Sequence, residues 1–130
     1  MYILLDLCTN FGTMAMNPSL GTAPITVRFF RQESGSEPVR EWLKSLSLQD
    51  RKLIGEDIKT VQWGWPLGMP LVRFMGGGLY EVRIHLESRI ARVLFAFRDG
   101  QIILLHGFIK KSQKTPKPDL DLARERIKKL

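Results

Sequence analysis

Apolar side chains recur along this chain with two periods, and the changes between them mark out the elements. Ile25–Phe30 alternates β-branched and aromatic residues with polar ones, as a strand does. A turn is predicted at Glu33–Ser36. Ser36 is placed to cap a helix with Pro38 in its first turn, where a missing N–H costs little. Val39, Trp42, Leu43 and Leu46 then recur at i, i+3, i+4 and i+7, which forms one buried stripe. Ser47 and Asp50 fit a loose capping box and open a second helix with Ile54, Ile58 and Val61 on its apolar face. Gly64 and Pro66 stop it. So short a connection predicts an antiparallel helix hairpin.

Beyond Leu71 the period falls to two. Strands are predicted at Leu71–Met75, Leu79–Leu86, Ile90–Phe97 and Gln101–Phe108, the last being the most apolar. In the second of these, Tyr80, Val82, Ile84 and Leu86 point to one side and Glu81, Arg83 and His85 to the other. Gly76–Gly78, Glu87–Arg89 and Asp99-Gly100 supply the turns. Thr115–Pro118 breaks the chain before a C-terminal helix that opens near Asp119 and runs through Leu120, Ala123, Ile127 and Leu130. This order predicts an α+β fold: an N-terminal strand and helix hairpin packed on a small twisted antiparallel sheet, then a C-terminal helix. The helices are expected on one face, leaving the other open for polar and charged side chains.

A chain of 130 residues fits one domain. Residues 25–130 are expected to form it, with residues 1–24 a mobile extension rich in loop formers near its end. Its short apolar start, Met1–Leu7, could alternatively add an edge strand or touch a partner. Met14 or Met16 could also be the true start of translation. No apolar run approaches the ~20 residues that span a bilayer, and no export signal is legible, so a cytoplasmic protein is expected. Cys8 stands alone and cannot form an internal disulfide.

Charge changes the picture. The formal net charge is +7, and every Lys and Arg lies at or beyond Arg28. Between Arg73 and Lys117 nine basic side chains face only Glu81, Glu87 and Asp99. Such clustering suits a polyanion, because neutralised phosphates release condensed counterions. A basic surface kept for solubility, or for an acidic protein partner, is the competing explanation.

Three segments carry a family likeness: Gly78-Leu-Tyr-Glu-Val-Arg83, Arg92-Val-Leu-Phe95, and Leu105-His-Gly-Phe-Ile-Lys-Lys-Ser-Gln-Lys-Thr-Pro116. Together they resemble the phage-derived, HigB-like branch of the RelE/ParE toxin superfamily, over about Ile25 to Leu130. The resemblance implies a RelE-like sheet-and-helix fold without metal or organic cofactor. It also implies an antitoxin partner, often a helix-turn-helix repressor. Many such toxins cleave mRNA in the ribosomal A site, whereas the ParE branch poisons DNA gyrase. A phage relic that only binds its partner is a third possibility.

Metal-free RNA cleavage needs a base for the 2′-OH, cations for the phosphorane oxygens and an acid for the leaving 5′-oxygen. Arg83 and Arg92, on neighbouring strands, are the candidate clamps; the plainer alternative is a surface pair tied to Glu81 or Glu87. Glu81 is a base or orients Arg83, and the second is favoured because a carboxylate among cations is weakly basic. His106 is a candidate proton shuttle, although a His in an apolar strand is often a hydrogen-bonded core residue. Lys110 shares its side of the strand with His106 and Phe108 and completes the candidate catalytic set. Arg73, Phe108, Lys111, Gln113 and Lys114 are the expected RNA contacts. Two histidines without a further ligand at metal spacing give little support for zinc. Tyr80 lies on the apolar side of its strand, as a structural residue. Trp42, Trp63, Trp65, Phe95 and Phe97 read as core.

Overall fold

The computed structural model describes residues 24–110 and 114–130. The chain runs through strand β1 (Thr26–Phe29), helices α1 (Pro38–Lys44) and α2 (Leu48–Gly64), and strands β2 (Val72–Gly76) and β3 (Leu79–Leu86). Strands β4 (Arg89–Arg98) and β5 (Gln101–Lys110) and helix α3 (Lys117–Ile127) complete it. The expected N-terminal extension, up to Ala23, lies outside the described residues, as do Lys111 and Gln113.

The strands form one sheet in the order β1-β5-β4-β3-β2. β2 to β5 are an antiparallel meander. Asp99 and Gly100, at φ 52° and 73°, make the two-residue turn between β4 and β5, where positive φ matches the strand twist. The expected antiparallel strands are β2 to β5, and β1 extends their sheet at the β5 edge. It pairs parallel to β5, with Thr26 opposite Gln101 and Phe29 opposite Leu104. A parallel neighbour needs a long crossover, and the two helices and the meander provide it.

Local chemistry sets the helix ends. Ser47 caps α2, its Oγ accepting from the Asp50 N–H at 3.1 Å. Arg89 Nη2 donates to both oxygens of Asp50 at 3.0 and 3.2 Å, which ties the first turn of α2 to the start of β4. At the other end Gln62 Nε2 donates to the Ile25 carbonyl at 2.7 Å, and the Ile25 N–H donates to the Gln62 carbonyl at 3.1 Å. Ser36 does not cap α1. The N-cap is Glu37, without a side-chain cap, because the Ser36 hydroxyl is engaged with Gln32 Oε1 at 2.6 Å in the preceding turn.

Two cores result, one on each face of the sheet. Under α1 and α2 lie Val27, Phe29, Leu43, Ile54, Ile58, Val82, Val93, Phe95 and Leu104. Under α3 lie Phe30, Leu79, Leu94, Ala96, Ile103, Leu105, Phe108, Ala123 and Ile127. The expectation that all helices share one face is therefore overturned: α3 packs on the opposite one. The reason lies in β5, where Ile102 and Leu104 enter the first core while Ile103 and Leu105 enter the second. A strand apolar on both sides must be covered on both. Phe97 also departs from expectation. It is 37% exposed beyond the end of α2, packed on Trp65 with ring centroids 5.3 Å apart.

Gly107 faces α1 because the Trp42 ring occupies the place of its side chain. A Cβ there would meet Trp42 Cζ3 at 2.3 Å. Gly107→Ala is expected to destabilise the fold by ~1–3 kcal/mol through overpacking. Urea unfolding measures this, and Trp42→Leu in the same chain should recover part of the loss.

On α2, burial and then Glu56 hold the Asp57 carboxyl above its ordinary 3.8, against a smaller opposing pull from His85. An acid whose pKa is raised by folding favours the folded state most below its unfolded value, and that contribution is lost as pH rises through the raised value. Asp57→Asn should therefore raise Tm at pH 7, with the gain closing as pH falls through the raised value and gone below 3.8.

Candidate active site

Strand register gathers the charged residues. Arg73 pairs with Glu81 across β2 and β3, and Arg83 pairs with Arg92 across β3 and β4. Across β4 and β5, Leu94 pairs with His106, Arg92 with Phe108, and Ile90 with Lys110. Directly opposed residues share a face of an antiparallel pair. Arg73, Glu81, Arg83, Arg92, His106, Phe108 and Lys110 thus lie on the face that α3 partly covers.

At the centre of β3, Glu81 is completely buried. Its Oε1 accepts from Arg83 Nε at 2.8 Å, and its Oε2 accepts from the hydroxyl of buried Thr115. Arg83 is thereby held in one orientation, with 19% of its side chain exposed to water. Arg92 is 0% exposed. Burial and then the neighbouring Arg83 push its pKa below the ordinary arginine value; Glu81 opposes this and Arg73 adds to it. An arginine remains charged in such a setting.

The expected direct contacts of two residues meet a different geometry. Arg92 is sealed in the interior, so it acts on its surroundings through its charge and packing rather than by touching a ligand from solvent. Phe108 is only 7% exposed and belongs to the second core, so its ring face is not offered to a base. For Phe108 the packing of α3 over the sheet is the cause. Arg73, Lys110 and Lys114 are exposed.

The second cluster was half legible. His106 Nε2 lies 2.7 Å from Asp119 Oδ1, and Lys110 Nζ lies 3.7 Å from Asp119 Oδ2. The imidazole stacks on Phe108 with centroids 5.4 Å apart and planes 27° apart. Sequence reasoning saw Asp119 only as a residue near the helix start and Thr115 only as part of a chain break. Their polar partners are distant in sequence, and the one local signal was an acidic residue in the first turn of a helix.

Helix α3 is latched in place. Arg124 donates to the carbonyls of Met75 and Gly76 at 2.9 and 3.1 Å, and Arg126 donates to that of Leu105 at 2.7 Å. Among the described residues no group of three or more His, Cys, Asp or Glu is arranged to hold a metal ion. No helix among them is long and apolar enough to cross a membrane.

This is an α+β fold consistent with a RelE-like one, with basic residues gathered on one sheet face. The chain belongs to the family of phage-derived Gp49-like proteins (DUF891), whose profile matches residues 41–128 and so spans both clusters. That family is associated with the toxins of toxin–antitoxin pairs. No curated protein matches the chain.

Removing one partner of a buried charge pair is costly, because the other is left uncompensated. Glu81→Ala should cost ~3–5 kcal/mol by chemical denaturation. Thr115→Val, which removes one hydrogen bond, should cost about 1 kcal/mol.

Proposed function

We propose that this protein is the toxin of a type II toxin–antitoxin pair and a metal-independent endoribonuclease that cuts mRNA on the ribosome. The observation that carries this reading is the placing of His106, Asp119 and Lys110 on the same sheet face as Arg83, whose guanidinium is fixed by buried Glu81. Membership of a toxin-associated family supports it.

The chemistry runs as follows. His106 removes the proton from a ribose 2′-OH, and the 2′-oxygen attacks the adjacent phosphorus. The P–O5′ bond breaks, leaving a 2′,3′-cyclic phosphate on one fragment. Lys110 gives its proton to the departing 5′-oxygen, and a proton from His106 passes back through solvent to restore both groups. Arg83 stabilises the negative charge that gathers on the phosphorane oxygens, where a preoriented donor is most effective. Arg73 and Lys114 draw in the RNA backbone. The basic face offers little to align the reacting ribose by itself, so alignment falls to the ribosome. A cognate antitoxin, of helix-turn-helix type, restrains the protein by covering the basic face or blocking its entry to the ribosome.

The test is pulse expression of the full chain and of its Arg83→Ala and Lys110→Ala variants, followed by primer extension on a translated transcript. New 5′ ends within codons are expected. They should vanish when translation is blocked, and fall about a hundredfold in the Arg83→Ala variant. Arg92→Ala is a poor probe, since Arg92 is buried and its loss disturbs packing. Growth arrest with intact mRNA and broken DNA would replace this reading with gyrase inhibition, and no arrest at all would leave a protein that only binds its partner.

A further inference from the structure

We infer that Asp119 is a positioning residue that fixes the tautomer and orientation of His106, so that Nδ1 is the nitrogen that exchanges a proton with the substrate. The catalytic half of this statement rests on the nuclease reading above; the half about the imidazole stands without it.

Three restraints act on the ring. The backbone of β5 sets where it leaves the sheet. Phe108, at 5.4 Å and 27°, fixes the plane on one side. Asp119 Oδ1, at 2.7 Å, fixes the rotation about the last side-chain bond by engaging Nε2. An ionised carboxylate only accepts hydrogen bonds, so Nε2 must carry the proton. In the neutral imidazole the lone pair is then left on Nδ1, and Nδ1 is the base. Both side chains are largely withdrawn from water, at 18% and 16% exposure, where a charge-assisted hydrogen bond is strong.

The carboxylate is itself held in place. It sits in the first turn of α3, which the two arginine latches bind to β2 and β5. Its second oxygen faces Lys110 Nζ at 3.7 Å, so one acid organises both groups that move protons. When His106 takes a proton on Nδ1, the imidazolium lies against the Asp119 charge instead of facing the surrounding cations alone. This arrangement gives the C-terminal helix a second role beside covering the core.

The test uses the full chain labelled with nitrogen-15, carrying His85→Gln so that His106 is its one imidazole. His85 is exposed and outside both clusters. Long-range proton–nitrogen spectra of the neutral ring should show a protonated Nε2 and a bare Nδ1. Asp119→Ala should convert this to a mixture of tautomers, lower kcat for ribosome-dependent cleavage ~10–100-fold, and leave KM unchanged. Asp119→Glu should restore the tautomer and part of kcat. A protonated Nδ1 in the parent, or an Asp119→Ala spectrum like the parent's, overturns the inference. Should Asp119→Ala fail to fold, Asp119→Asn takes its place. Its amide donates as readily as it accepts, so a mixed tautomer is expected and a retained one overturns the assignment. The spectra need no RNA. A parent that cuts nothing would therefore sink the nuclease reading alone, while the tautomer result still decides what Asp119 does to the ring.

Discussion

A carboxylate taken wholly out of water needs hydrogen-bond partners that replace the solvent it has lost, and Glu81 is such a group. Arg83 answers one oxygen and Thr115 the other. The second contact reaches far beyond the pair. It draws the chain that follows β5 down onto the centre of the sheet, and Pro116 and Pro118 then start α3 from that point. Because α3 begins there, its first turn lies beside His106 and its later turns cover the second core. One buried charge thus links the middle of the sheet, the connection after β5 and the helix that carries Asp119.

Covering both faces of so small a sheet requires that strand residues divide cleanly between two cores. β5 does this with a run of apolar residues whose alternate members go opposite ways. Gly107 lies at the point where the rule of one side chain per position is suspended. The Trp42 ring fills the space a side chain would take, bringing α1 close to the strand that carries His106 and Lys110. Packing on the far side of the sheet therefore supports the backbone of the candidate site. Arg73, Arg83, His106 and Lys110 keep some exposure where α3 covers the sheet only in part, whereas Glu81 and Arg92 beside them are buried.

Periodicity made much of this legible. Alternation in β3 separated Glu81 and Arg83 from the core-facing residues, and the register brings Arg83 opposite Arg92. The parity of β5 put His106 and Lys110 on one side. What remained hidden depends on contacts between residues distant in sequence. The parallel pairing of β1 cannot be read from its alternating pattern, which is the same for either direction. The depth of Arg92 depends on what lies above it, and a lone arginine in a strand gives no sign of that. Asp119 and Thr115 looked like ordinary features of a helix start and a chain break, since both of their partners sit on strands already passed. The apolar run in β5 was a visible hint that the second face would be covered; reading it that way would have placed α3 correctly.

The cations of this face therefore act at two depths, with different physical consequences. Arg73, Lys110 and Lys114 are exposed, so their attraction for a polyanion is long in range and screened by salt. Arg92 is enclosed, so its field is weakly screened and acts on its immediate neighbours, Arg83 and Glu81. Glu81 in turn keeps Arg83 oriented by accepting a 2.8 Å hydrogen bond from its Nε. Under the proposed function, the outer layer governs how often RNA arrives and the inner layer governs how a phosphate is met once it is there. Evolution could alter the first by surface substitution at little cost to folding. The second is bound to the buried carboxylate on which the fold itself depends, so the geometry of Arg83 cannot change without reorganising the centre of the sheet.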